Sequence, residues 1–246
     1  MKFLPQIICT CTALLLSACL PDVNSNQPVN KNNFTLLQPM DQDESGFWNI
    51  ADGWSNGLPF LNGWCNTQVA FVDSKMQLSL DNLPCAGENT AGAEYRSNDF
   101  YGYGYFEVRM KAANGNGVVS SFFTYTGPSD GNVHDEIDFE ILGNDTTRLQ
   151  VNYWVNGVEH PQFITLGFDA AADYHTYAFD WRADGIKWYV DGVLVHSVTS
   201  TDGTLPTTPG RIVSNIWACD ATIWCGQFTV DQLPAQASYD WIGYRP

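Results

Sequence analysis

"VHDEIDFEILGND", residues 133–145, places acids at Glu136, Asp138 and Glu140 and apolar Ile137, Phe139 and Ile141 between them. Alternation of period two marks a β-strand with one face buried and the other open. Acids crowded on one face repel one another, and a face serving structure alone would mix in lysine or threonine. None interrupts this row. Crowding also pushes carboxyl pKa values apart, so that one group keeps its proton while a neighbour is ionised. That pair of states suits cleavage of a glycosidic bond, with the ionised group facing the sugar carbon and the protonated one facing the leaving oxygen. Residues four apart on a strand have Cα atoms roughly 13 Å apart. Side-chain lean and strand curvature must therefore bring the carboxyls to about 5–5.5 Å if the reaction is to retain configuration.

Outward from this stretch the chain keeps the same character. "QVAFV", "MQLSL", "GYFEVRM", "GVVSSFFTY", "RLQVNYWV", "HTYAFDW" and "RIVSNIW" are short, rich in β-branched and aromatic residues, and separated by Gly, Asp and Asn. In "IKWYVDGVLVHSV" the pair Asp191-Gly192 stands between two alternating runs, the signal for a two-residue hairpin turn. No long stretch has a 3.6-residue apolar period, so very little helix is expected. The prediction is an all-β fold, a sandwich of two antiparallel sheets in one domain without internal repeats.

Twenty-seven acidic against eleven basic residues leave a formal charge of −16. Such a balance excludes a nucleic-acid binder, which works by neutralising phosphates, and disfavours adhesion to anionic lipid. A neutral polysaccharide partner fits.

Residues 1–18 read as a signal peptide: one Lys, then an apolar run too short to span a membrane. Leu16-Ser17-Ala18-Cys19 resembles a bacterial lipoprotein signal box, in which Cys19 would take the lipid; simple secretion after Ala18 is the alternative. An exported protein is expected, free or held at the cell envelope, touching a membrane only through that lipid. Residues 19–37 are Asn- and Pro-rich and read as a tether ahead of a domain at 38–246. Cys65, Cys85, Cys219 and Cys225 remain for the domain, an even number suited to an oxidising compartment. Three pairings exist. Proximity in sequence favours Cys65 with Cys85 and Cys219 with Cys225, and zinc is disfavoured because paired CxxC spacing is lacking.

The acidic stretch resembles the catalytic strand of glycoside hydrolase family 16, which shows Glu-x-Asp-x-Glu on a β-jelly roll. Its regular spacing looks like that of bacterial lichenases (1,3-1,4-β-glucanases) and plant xyloglucan transglycosylases. The likeness to lichenases runs over about residues 46–246 and includes "ADGWSNG", "YRSNDFYGYGYFEVRMK", "VVSSFFTYTGPSDG", "LGFDAAADYHTYAFDW", "IKWYVDGVL" and "YDWIGY". It implies Glu136 as nucleophile, Glu140 as general acid and later base, and Asp138 between them as a tuner of both. It also nominates Asn56, Glu94, Arg96, Phe123, Tyr125, Asn152, Trp154, Trp217 and Trp224 for the substrate cleft. For each aromatic taken alone, core packing is the competing reading. Asn152 and Trp154 share a strand face, which suits a cleft; Glu94 and Arg96 also share one, which would suit a plain ion pair as well.

Two departures stand beside that cleft. His134 occupies a position where lichenases typically have Trp and the plant enzymes have His. "WACDATIWCGQF" replaces the usual loop between two cleft Trp residues. The resemblance further implies no cofactor for catalysis, a structural calcium at Pro39, Ser74 and Asp240, and a monomer acting on β-glucan. Retaining hydrolysis of mixed-linkage 1,3-1,4-β-glucan is the expected activity. The rivals are a xyloglucan hydrolase or transglycosylase, which His134 encourages, and a glycan-binding lectin on the same fold, which would be expected to have lost one of the acids.

Overall fold

A computed structural model describes residues 33–246. The signal peptide, Cys19 and the tether up to residue 32 lie outside the described residues.

Two sheets, antiparallel except where Gly63–Trp64 runs parallel to Ala91–Ser97, face one another in a jelly roll. The first runs, edge to edge, Val193–Thr199, Gly185–Val190, His175–Arg182, Gly104–Lys111, Ala235–Arg245, Lys75–Leu80 and Val69–Val72, with Leu36–Pro39 also pairing Ala235–Arg245. The second runs Val158–Glu159, Arg148–Val155, Asp135–Leu142, Val118–Thr126, Arg211–Ala218, Ala91–Ser97, Gly63–Trp64 and Trp54–Ser55. Each of the seven apolar runs named from sequence lies on a strand, and Asp191 and Gly192 turn the predicted hairpin at φ of 48° and 77°. Apart from single-turn 3₁₀ segments, the one helix among the described residues is Thr222–Cys225.

Alternation explains how the sheets meet. Ile137, Phe139 and Ile141 point inward from Asp135–Leu142 and are at most 1% exposed. They meet Tyr177, Phe179 and Trp188 of the opposing sheet; the Phe139 ring lies 5.7 Å from Tyr177 and 6.3 Å from Phe179. Burying one such side chain contributes about 1.5–3 kcal/mol. Trp188 then donates its indole N–H to the Asp138 carbonyl (3.3 Å), tying the acidic strand to the sheet beneath it. The core thus fixes which way the acids face.

Both expected disulfides form, Cys65–Cys85 and Cys219–Cys225. The tether boundary needs correction, because Leu36 and Leu37 belong to a strand whose register pairs Leu36 with Tyr244 and Pro39 with Trp241. Four residues of edge strand are too few to show period two, and their hydrogen-bonding partner lies at the far end of the chain.

Candidate active site

Register places the polar side chains of five strands in rows on the outward face of the second sheet. Glu136 stands between Tyr125 and Trp154, Asp138 between Phe123 and Asn152, and Glu140 between Ser121 and Gln150. The rows continue through Asn215 beside Ser121 and Glu94 beside Asn215. Although this face is turned away from the core, Asp138, Asn152, Ser121, Asn215, Gln150 and Glu94 are all under 9% exposed. The face is therefore a recess. Asp138 Oδ2, Ser121 Oγ and Asn215 Oδ1 are buried along it without a hydrogen-bond partner, a state that folded proteins seldom leave uncompensated.

Burial separates the acids. Glu140 is pushed up to about 8, first by burial and then by the charge of Glu136, with the Gln150 amide pulling the other way. Asp138 is raised well above the usual carboxylate range by burial, with Glu136 and Glu140 adding to it. Two of the three acids in the row, Asp138 and Glu140, are thus pushed toward their protonated forms. Glu94, a fourth acid in the recess, rises to about 7 through burial, opposed by Arg96.

The cleft candidates divide on inspection. Trp154 and Phe123 flank the acids, and Tyr125 is raised by its own burial and by Glu136. Asn152 accepts a hydrogen bond from the His160 backbone N–H (2.9 Å). Arg96 makes a loose 3.7 Å pair with Glu94 while its guanidinium lies 5.0 Å from the Trp54 ring, and Asn56 is held by the Trp64 indole at 3.2 Å. Trp217 is only 5% exposed, with Phe60 at 4.2 Å between ring centres. It underpins the floor of the recess and offers no open platform there. Trp224 is half-buried and its indole N–H is committed to Gln150 Oε1 (2.9 Å).

His134 behaves differently from the Trp it stands in for. Its Nε2 lies 2.6 Å from Glu136 Oε2, and the ring stacks on Trp154 at 4.8 Å and 22°. Toward an ionised carboxylate, which only accepts, an imidazole donates. Sequence reasoning placed this residue beside the cleft in the position of a Trp; the structure sets its ring against both Glu136 and Trp154. Gln150, Ser121 and Asn215 were missed. The signal was present, because Gln150 precedes Asn152 by two and shares its face, and Ser121 stands to Phe123 in the same way.

The positions named for calcium, Pro39, Ser74 and Asp240, come to one corner, but the Asp240 carboxylate and the Pro39 carbonyl are engaged. Arg109 binds Asp240 Oδ2 at 2.7 Å and Lys75 approaches Oδ1 at 3.5 Å. The Gln38 amide donates to the Pro39 carbonyl (2.9 Å). Lys75, Arg109 and Lys111 also converge on the Tyr174 ring at 5.1–5.8 Å. A divalent cation would have to displace a guanidinium and sit among like charges, so these residues do not fit one.

The sequence profile described as glycosyl hydrolases family 16 matches residues 60–243. The chain belongs to that family. A β-glucanase of Paenibacillus polymyxa is 49% identical over 210 residues, 84% of this chain and 86% of that protein. The solved β-glucanase of Bacillus licheniformis superposes with a TM-score of 0.81 at 45% identity, covering 86% of this chain and 97% of its own. A lichenase from a mouse hindgut metagenome, described as a β-1,3-1,4-glucanase, gives 0.82 at 42% identity, over 86% and 98% of the two chains. Membership in family 16 makes the chain a glycoside hydrolase, and the acidic row on its jelly roll matches that chemistry.

Proposed function

We propose that this chain is an endo-acting β-glucanase that hydrolyses mixed-linkage 1,3-1,4-β-glucan with retention. The observation that carries the reading is the acidic row in its recess, where burial raises Asp138 and Glu140 beside Glu136. Similarity at 42–49% identity to β-glucanases and a lichenase supports the substrate. Glu136 attacks the anomeric carbon as the leaving oxygen takes a proton from Glu140; the glycosyl ester then yields to a water that returns its proton to Glu140. Asp138, raised by burial between them and within hydrogen-bonding reach of Glu136 and the Trp154 indole, spreads the charge of the nucleophile. Phe123, Tyr125 and Trp154 supply apolar surfaces for sugar rings. Incubation with lichenan, laminarin, xyloglucan and cellulose tests the assignment: oligosaccharides from lichenan should dominate, and xyloglucan as the best substrate would overturn it. The protein is exported, which the signal-like residues 1–18 and the two disulfides support.

His134 gives the rival xyloglucan reading its one specific support, and the 2.6 Å contact to Glu136 answers with a different role. A hydrogen bond to a charged group contributes about 1.5–3 kcal/mol. His134→Trp should therefore lower kcat on lichenan about tenfold or more, while the added indole lowers KM by stacking. Steady-state kinetics check this, and an unchanged kcat would remove that role.

Stability should be indifferent to calcium. A structural ion at a hundred times its Kd would add about 2.7 kcal/mol, worth about 5–11 °C in a domain of this size. Thermal melts in chelator and in millimolar calcium should coincide; a rise of several degrees with calcium would show that Arg109 and Lys75 yield to the ion.

A further inference from the structure

We infer that the cross-linked turn Cys219–Cys225 positions the proton of Glu140 through two side chains, Trp224 and Gln150. The inference rests on the proposed role of Glu140 as general acid.

The geometry is a relay of directed hydrogen bonds. The Trp224 indole N–H donates to Gln150 Oε1 at 2.9 Å, and Gln150 Nε2 donates to Glu140 Oε2 at 3.1 Å. An amide has two ends of similar shape, and either could face Glu140. If its oxygen did, it would accept the acid's proton and withhold it from the leaving group. An indole nitrogen, however, is only a donor. With Trp224 on one side, the Gln150 oxygen must face Trp224 and its NH₂ must face Glu140. Glu140 Oε2 is then occupied as an acceptor, and the proton is left on Oε1, free to transfer. Trp224 thereby decides which way round Gln150 lies, and Gln150 decides which oxygen of the acid is protonated. Both are positioning residues.

The turn explains why Trp224 stays in place. Its helix, Thr222–Cys225, has only four residues, far too few to persist alone. The bond from Cys225 to Cys219 fastens it to the end of the strand Arg211–Ala218. Both half-cystines are at most 1% exposed, and both bond to the same residue: Cys219 N–H donates to the Gly117 carbonyl and Gly117 N–H to the Cys225 carbonyl, each at 2.8 Å. The Trp224 ring also lies 5.9 Å from Trp217. The last residue of the helix is thus fixed covalently, one position from the indole that orients the amide.

Two variants test the relay, Trp224→Phe, which keeps a ring but loses the N–H, and the double change Cys219→Ala with Cys225→Ala. Each is measured on lichenan and on an aryl β-glucoside with an activated leaving group, across pH. For both, kcat on lichenan should fall about three- to tenfold, while the aryl substrate, which needs no proton, changes less than about twofold. The basic limb of the profile should move to higher pH, because Glu140 loses a donor that favours its ionised form. A turn that merely loosened would lower both substrates together and leave the limb unmoved, and that result overturns the relay. If only the double variant behaves like wild type, the disulfide drops out. Glu140→Gln serves as the control: equal loss on both substrates there would fault the acid assignment itself, whereas a selective loss there with an inert Trp224→Phe would fault the relay alone.

Discussion

Replacing Glu136 with alanine should leave a folded protein that no longer cuts β-glucan. No other carboxyl stands between Tyr125 and Trp154 at that point of the row, so nothing replaces the nucleophile. A loss of about four orders of magnitude in kcat is expected, as for other residues that form the covalent intermediate. The gap left by the side chain admits a small anion. Azide should restore cleavage of an aryl β-glycoside and yield the α-glycosyl azide, because attack then comes directly from the face that the carboxylate had occupied. More than a few percent of activity without azide, or a β-configured azide product, would remove Glu136 from this role.

Glu140→Gln should cost about 10² to 10⁴ in kcat on lichenan, with a far smaller effect on aryl glycosides whose leaving groups depart unprotonated. In the wild type, this group must carry its proton to act. Its pKa stands near 8, well above the ordinary value of 4.5, so it stays protonated at neutrality and activity should fall as pH rises through about 8. The variant should lose that basic limb. An unchanged limb would assign the titration to another group, with Glu94 the first to examine, because its carboxyl is raised to about 7 in the same recess.

These two outcomes rest on features of unequal visibility in the chain. The period-two run at 133–145 by itself determined a strand, the shared face of the three acids and the burial of Ile137, Phe139 and Ile141 beneath them. Alternation is a local property, so it can be read without knowing what lies alongside. The same holds for Asp191-Gly192, whose backbone preference makes the turn, and for the cysteines, whose closeness in sequence favoured the observed pairs. Asn152 and Trp154 fell on the right face by the same rule.

Only the tertiary structure decided which atoms those faces present to one another. The proton on Glu140 depends on burial by strands from distant parts of the chain and on an amide ten residues away, itself turned by Trp224. Trp217 is covered because Phe60 folds onto it. Asp240, suited by its type to calcium, is claimed by Arg109 from 131 residues away. Leu36–Pro39 becomes a strand because the end of the chain supplies its ladder. A side chain's face follows from spacing alone, whereas its hydrogen-bond partner, ionisation and exposure follow from what packs against it, and that is fixed only when the sheets close on each other.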